Sequence, residues 1–385
     1  MMKFDVKTIH LDGLDWINLQ NQALKQLEAQ KEVSKDIKID QKSILEAAKK
    51  LFIREKRAQL LVENIKEHED RVYFMGVEEN PVISLSEITV DLRSYYVDDL
   101  SIYDIDQKPT AEFKINENID SIVQDFVKGY LTKHRFLIDV DKTTIEAGDF
   151  IHFEIYPLNQ ANQANQKTTY VAHANNDSEN EYERFVVGKE INKEYEYVIE
   201  EHTYIIKPVS IFKEEYMPIT EDNFHLLKID NFKTFDDVIK FIEHDAYYAN
   251  STRAIFDYGQ EVVGEILKTN GSKLKIPSDL LDYEANLFEV PVNQDNIMQM
   301  YAYAESFIAN YFWTNVFQKK LGIAITEENF NNEMRLLKAV TPKNEWVNIS
   351  TYQVTNIVLF KKVGQYFAKK YYPEAYAKIE KYLDF

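Results

Sequence analysis

The chain of 385 residues contains no cysteine. That excludes disulfides, thiolate nucleophiles and cysteine-ligated zinc, and leaves the compartment open. Glycine and proline are scarce, at 10 and 9 residues. So few chain-turning residues argue against an all-β protein rich in tight turns and favour a largely helical one. The scattered glycines supply neither a phosphate-cradling loop nor a dinucleotide fingerprint. HExxH and G-x-S-x-G are absent as well. Long apolar runs are missing too. The nearest approach, Ile297 to Phe317, carries Gln299, Glu305, Asn310 and Asn315 and few aliphatic residues. It reads as a largely buried helix of a soluble protein rather than a membrane span. The stretch MMKFDVKTIHLDG alternates like a strand and lacks the apolar segment and cleavage site of a secretory signal, so a cytoplasmic location is expected.

Positive charge is also short. Lys and Arg number 45 against 64 Asp and Glu, a net charge of -19. Phosphate polyanions such as DNA are repelled overall, although a small local docking patch stays open. The eight histidines (His10, His68, His134, His152, His173, His202, His225 and His244) never fall four apart, so no metal-ligand pair and no cofactor motif is expected. Acidic neighbours of His68, His202 and His244 read as solvated charge clusters, because adjacent residues on a helix point in different directions.

What the chain does have is aromatic residues, 25 Tyr and 23 Phe, in a helical background. Strand-like residues 3–11 precede helices expected at 14–33 and 43–67. The second helix has Ile44, Ala48, Leu51, Ala58, Leu61 and Ile65 on one face. Lys49, Lys50, Arg54, Lys56 and Arg57 form its basic side. Strands follow at 71–78 and 81–92, then a polar connector and a helix from Asn118 to Arg135. Residues 145–213 read as strands: GDFIHFEIYP, TTYVAHA, RFVVG, YEYVIE and TYIIKPVSIF, interrupted by the polar loops NQANQANQK and NNDSENEYE. From Met217 onward the pattern is helical. Helices are expected at 235–270, after Pro277 with Ser278 or Asp279 as cap, and at 294–320, 326–339 and 349–371. Gly259 and Gly264 inside the first of these point to a close backbone approach or a break. The fold class is multidomain α+β: an α+β N-terminal domain (1–85), a linker and helix (86–140), a small β-rich domain (141–215) and an elongated helical domain (216–385).

Met298, Met300, Tyr301, Tyr303, Phe307, Tyr311, Phe312, Trp313 and Phe317 cover almost the whole circumference of one helix. Two readings stay open: core between packed helices, or an adaptable hydrophobic cradle built of flexible Met and amphipathic Tyr. Both hold if one face packs while another is offered.

The order of parts resembles the bacterial trigger factor family, chaperones of newly made chains. VEENPVISLSEITV (77–90) is similar to the family's passage out of its first domain, and NENIDSIVQDFV (116–127) to the helix before its prolyl-isomerase domain. GDFIHFEIY is similar to the first strand of that FK506-binding-protein-like domain. YIIKPVSIFKEEYMPITEDNFHLLKIDNFKTFDDV is similar to its last strand and exit, and KIPSDLLDYEANLF to a helix of the C-terminal domain. The resemblance implies a ribosome-binding-like N-terminal domain, an isomerase-like domain and a helical chaperone domain with arms. Two departures stand against it. The family's glycine-phenylalanine-arginine docking loop has no counterpart in EAQKEVSKDIKIDQKS (28–43), so ribosome contact is left to the basic residues Lys49, Lys50, Arg54, Lys56 and Arg57, or to none. The glycine-rich passage and pocket helix of the isomerase have no visible counterpart in RFVVGKEINKEYEYVIEEHTYIIKPV, so isomerase activity is expected to be lost.

The leading expectation is an ATP-independent holdase without metal or cofactor that binds non-native polypeptides through Met298, Tyr301, Phe307, Tyr311, Trp313 and Phe317, with Phe360 and Tyr366 from later helices. The alternatives are a working prolyl isomerase with an abbreviated pocket, and a dedicated assembly protein that kept the trigger factor shape.

Overall fold

Two compact units make up the chain: Met1–Lys114 together with Thr252–Phe385, and Ile115–Ser251. The computed structural model describes residues 2–33, 38–157, 168–199, 202–288 and 296–383. The first unit opens with strand β1 (Lys3–Asp12), helices α1 (Gly13–Val33) and α2 (Gln41–Glu67), and strands β2 (Val72–Tyr73), β3 (Val77–Ile83) and β4 (Glu87–Val97). Strand β4 is central, with β1, β2 and β3 all paired to it antiparallel. Its Ile88, Val90 and Leu92 are buried at alternate positions, as in a strand with one covered face. Trp16, Ala23, Phe52, Ile53 and Leu60 of α1 and α2 provide the cover. The Trp16 ring buries without an unmet donor, because its Nε1 donates to the Ser84 carbonyl at 3.0 Å.

Gly13, at φ +56, turns β1 directly into α1. Helix α2 begins on a reciprocal cap, in which the Asp40 carboxylate accepts from the Ser43 N–H and the Ser43 hydroxyl accepts from the Asp40 N–H. Its covered face is set by Ala48, Phe52, Ile53 and Leu60, whereas Ala58, expected inside, is exposed.

Two expectations change here. A domain end at residue 85 would cut through the sheet just before its central strand. The connector that follows is also fastened down. Tyr103, Ile105, Ala111 and Phe113 are buried. The Asn270 amide accepts from the Asp104 N–H at 3.1 Å and donates to the Asp104 carbonyl at 2.9 Å. The apolar residues come in i, i+2 pairs, which suits an extended segment laid on a surface.

The second unit holds α3 (Ile119–Thr132), β5 (His134–Asp139), β6 (Phe150–Pro157), β7 (Thr168–His173), α4 (Glu181–Phe185), β8 (Tyr195–Ile199), β9 (His202–Met217) and the first part of α5 (Phe235–Asn270). Strand β9 pairs antiparallel with β5, β6 and β8, and β7 pairs with β6. The register between β6 and β9 shifts between His152 and Phe153, next to Pro208, which has no N–H to give the ladder. In β6, Ile151, Phe153 and Ile155 are buried while Phe150, His152 and Glu154 on the other face are half-covered.

Helix α3 stops at Thr132, and Arg135, expected as its last residue, is already in β5. RFVVG, expected as a strand, overlaps helix α4 and its exit turn. The Asn180 side chain caps that helix at the Tyr182 N–H, and Gly188 leaves it at φ +77. The whole NQANQANQK loop and Glu200 lie outside the described residues.

The remaining helices of the first unit are α5 from Thr252, α6 (Ser278–Ala285), α7 (Ile297–Leu321), α8 (Glu327–Val340), α9 (Thr351–Tyr371) and α10 (Pro373–Ile379). Helix α5 is unbroken, and Gly259 marks its crossing with α9. A Cβ at Gly259 would stand 1.9 Å from the Phe360 carbonyl oxygen, and one at Gly364 would stand 2.1 Å from that of Ile255. Gly264 has open space instead. Helices α8 and α9 share a buried ion pair between Glu333 and Lys361. Neither Ser278 nor Asp279 caps α6; Pro277 holds the cap position. The Asp279 carboxylate accepts instead from Arg93, at 2.7 Å, and from the Tyr95 hydroxyl. The expected first residues of α7 before Asn296 lie outside the described residues. Among the described residues no helix is long and apolar enough to cross a membrane.

Candidate functional site

Helix α7 separates two apolar cavities of the first unit. On one side Phe307, Ile308 and Tyr311 meet Leu61, Phe74, Met75, Leu280, Leu287 and Phe288 around a cavity of about 310 Å³. The apolar positions of α6 and its exit, Leu280, Leu287 and Phe288, share one helical stripe with Glu284. A carboxylate on such a stripe needs a partner, and Arg57 of α2 supplies it: Nη2 donates to Glu284 at 3.1 Å, and the guanidinium lies 4.7 Å over the Tyr283 ring. Burial pushes the Glu284 carboxyl above its usual range, and Arg57 only partly opposes this. Burial also lifts the Tyr311 hydroxyl to about 12, against a smaller opposing effect of Asn315. The Phe74 ring stands 5.7 Å from that of Tyr311, and the Phe288 ring 6.3 Å from that of Tyr303.

On the other side of α7, Glu305, Ser306, Ala309, Asn310, Trp313 and Phe317 face residues of α5 and α9 around a cavity of about 400 Å³. Its lining includes Leu267, Ile276, Leu359 and Phe360.

The sequence-based candidates therefore divide. Phe307 and Tyr311 line the first cavity; Trp313, Phe317 and Phe360 line the second. Trp313 and Phe317 are buried floor residues rather than offered surface, with Phe317 0% exposed. Their rings pack inside the unit because Tyr103 and Phe312 complete a cluster with Trp313 at centroid distances near 5.2 Å and 5.1 Å. Met298 is 82% exposed and lies outside both linings. Tyr301 is tied by its hydroxyl to Asp282, and Tyr366 donates to Asp106 at 2.8 Å. Phe74, Met75, Leu280, Leu287, Phe288 and Ile308 were not singled out from sequence. The stripe on α6 was the available signal.

The basic side of α2 is not one patch. Arg57 is 7% exposed and committed to Glu284. Lys49 is half-buried between Glu46 and Glu78, each at 3.3 Å. Lys50 and Arg54 are exposed, and Lys56 reaches Gln59 at 2.8 Å. Of the expected docking-loop region, residues 34–37 lie outside the described residues.

In the second unit, α4 rests on the sheet through Tyr182, Phe185 and Val186, the i, i+3, i+4 spacing of a helix face. Phe153 stacks near Tyr170 at 5.8 Å and Tyr182 at 6.1 Å, and Tyr197 stands 4.6 Å from Phe185. A helix is thus present where the sequence showed none. His152, on the opposite face, lines a third cavity of about 320 Å³ with Leu137, Val171, Phe212 and Leu226. Among the described residues no cluster of three or more His, Asp or Glu could hold a metal ion.

No family model matches the chain, and no curated protein matches it. A solved structure of the trigger factor chaperone, described for promiscuous substrate recognition in folding and assembly, matches at 12% identity with a TM-score of 0.25. The match covers 94% of this chain and 96% of that one. The likeness is distant.

Proposed function

We propose that this protein is an ATP-independent chaperone of the cytoplasm that holds non-native or newly made polypeptides and releases them by simple dissociation. The observation that carries the reading is the exposed apolar rim of the first cavity, where Met75, Leu287, Phe288 and Phe307 gather. Tyr303, exposed too, extends it beside Phe288. Single exposed apolar side chains are ordinary, but a contiguous set around a concavity marks a surface that takes a partner. Met and Phe adapt to varied side chains, and an open site keeps affinity modest enough for release. The colinear sequence phrases similar to the trigger factor family support the same reading. The test is aggregation of a chemically denatured client at stoichiometric ratio. Suppression without nucleotide is expected. No suppression, together with no binding of the unfolded client in titration, overturns the proposal.

A second reading, a working prolyl isomerase, is favoured by α4 and the aromatic side chains beside it. We retain the second unit as a scaffold because Tyr182, Phe185 and Val186 pack into its own core and the glycine-rich passage is absent. Acceleration of a proline-limited refolding reaction by catalytic amounts of the protein would reverse that choice.

A further inference from the structure

We infer that β1 pairs with β1 of a second copy of this chain, so that two sheets join across a two-fold axis at Val6. This surface is separate from the cavities, and the inference stands apart from the polypeptide-holding reading. Strand β1 closes one end of its sheet, and among the described residues it is paired to β4 alone. The outer row of its backbone N–H and C=O groups is therefore left for a partner. Its ten residues keep one register with β4, without a bulge or a proline. Every residue from Lys3 to Thr8 is exposed, including the apolar Phe4 and Val6. Edge strands are usually short, bulged or otherwise guarded, and a long regular one is a ready template for pairing.

Charge selects the occupant. The net charge of -19 opposes the meeting of two copies, so the surface they share must offset it locally. Lys3, Asp5 and Lys7 alternate along one face of β1. Lys3 is held by Asp98 and Lys7 by Glu63, whereas Asp5 has no ion-pair partner among the described residues. Opposed residues of an antiparallel pair project from the same face, so a symmetric pairing puts one residue on the axis. With Asp5 there, it meets its own copy and Lys3 meets Lys7; with Lys3 or Lys7 there, two lysines meet. With Phe4 there, Lys3 meets Asp5 but the overlap ends near Val6. With Thr8 or Ile9 there, neither Asp5 nor Lys7 meets an opposite charge. Val6 on the axis joins residues 3–9: Asp5 faces Lys7 at two equivalent places, Phe4 faces Thr8, and Val6 packs on its copy. An arbitrary client strand lacks this pattern. A second copy has it by symmetry.

Sedimentation equilibrium of the full chain over a rising concentration series should show the mass climbing from one chain to two. It should stop there, because a two-fold pairing leaves no β1 edge open. Asp5→Lys and Lys7→Asp should each weaken the dimer about tenfold or more, since each opposes like charges at both places. An equimolar mixture of these two variants should dimerise as the wild type does, because two lysines of one chain then face two aspartates of the other. If either charge variant does not fold, Val6→Lys, which sets like charges on the axis, takes its place and should stay a single chain. A wild type that stays a single chain, grows beyond two, or dimerises unaffected by these changes overturns the inference. So does a mixture that associates no better than its components. Protection of the β1 amides from hydrogen exchange only when a denatured client is added would give the edge to clients and overturn it as well.

Discussion

Phe307 and Phe317 stand on the same helix, and their substitutions should fail in different ways. Phe317 is fully buried beneath the second cavity. Phe317→Ala removes a packed ring and should cost about 3–5 kcal/mol, read as a lowered urea midpoint. Phe307 is 53% exposed on the rim of the first cavity. Phe307→Ser should leave stability within about 0.5 kcal/mol and weaken the binding of an unfolded client. Equal loss of stability in the two variants would show that the rim is structural. Sequence could not separate them. A helix that is apolar almost all round has no phase, so nothing in its pattern distinguishes a ring turned inward from a ring held out. The identity of the residues was readable, and their direction had to come from Tyr103 and Phe312 on one side and the cavity on the other. Glu284 was hidden for a related reason: its partner Arg57 lies far away in the chain, where it reads as one member of the basic side of α2.

At the scale of elements, the crossing of α5 and α9 makes a clear prediction. Ala is ordinarily better than Gly inside a helix by roughly 0.5–1 kcal/mol. Gly264 faces open space, so Gly264→Ala should stabilise the protein by about that amount. Gly259→Ala must instead push a methyl against the Phe360 carbonyl, which cannot move without displacing α9. It should destabilise by about 1–3 kcal/mol or more. Thermal unfolding of the two variants should therefore shift in opposite directions, and a parallel shift would contradict the crossing. The start of α2 adds a pH signature. The Asp40 carboxyl is held down at about 2, first by the Ser43 backbone N–H and then by Lys38. A carboxylate depressed in the folded state stabilises fully above its ordinary value of 3.8 and loses that contribution as pH falls toward 2. Asp40→Asn keeps an acceptor without the titration, so its stability should drop less between those two pH values. An identical acid profile for both proteins would rule out the cap as the cause. Long periodic helices such as α5 and α9 were legible in the sequence within a residue or two. The short helix α4 was not, because two of its three sheet-facing residues, Phe185 and Val186, fall inside the apolar run RFVVG, which also satisfies a strand, while Tyr182 stands outside it in a polar stretch.

The whole molecule carries a net charge of -19, and the basic side of α2 is partly spent internally. Arg57 is buried against Glu284, and Lys49 is shared by Glu46 and Glu78. That leaves Lys50, Arg54 and Lys56 along a helix that also carries Glu46, Glu55 and Glu63. Binding to ribosomal RNA grows with the number of phosphates neutralised, and three scattered cations against an overall negative field release few counterions. We therefore expect the protein to stay near the top of a sucrose gradient of cell lysate, apart from ribosomes, at physiological salt. Lowering the salt should change this little, because so few contacts are available to strengthen. Co-sedimentation that survives physiological salt would mean that another surface docks. If Lys50→Glu with Arg54→Glu then abolished that co-sedimentation, the remaining basic residues of α2 would be the contact after all, and the proposed holding of polypeptides would take place at the ribosome.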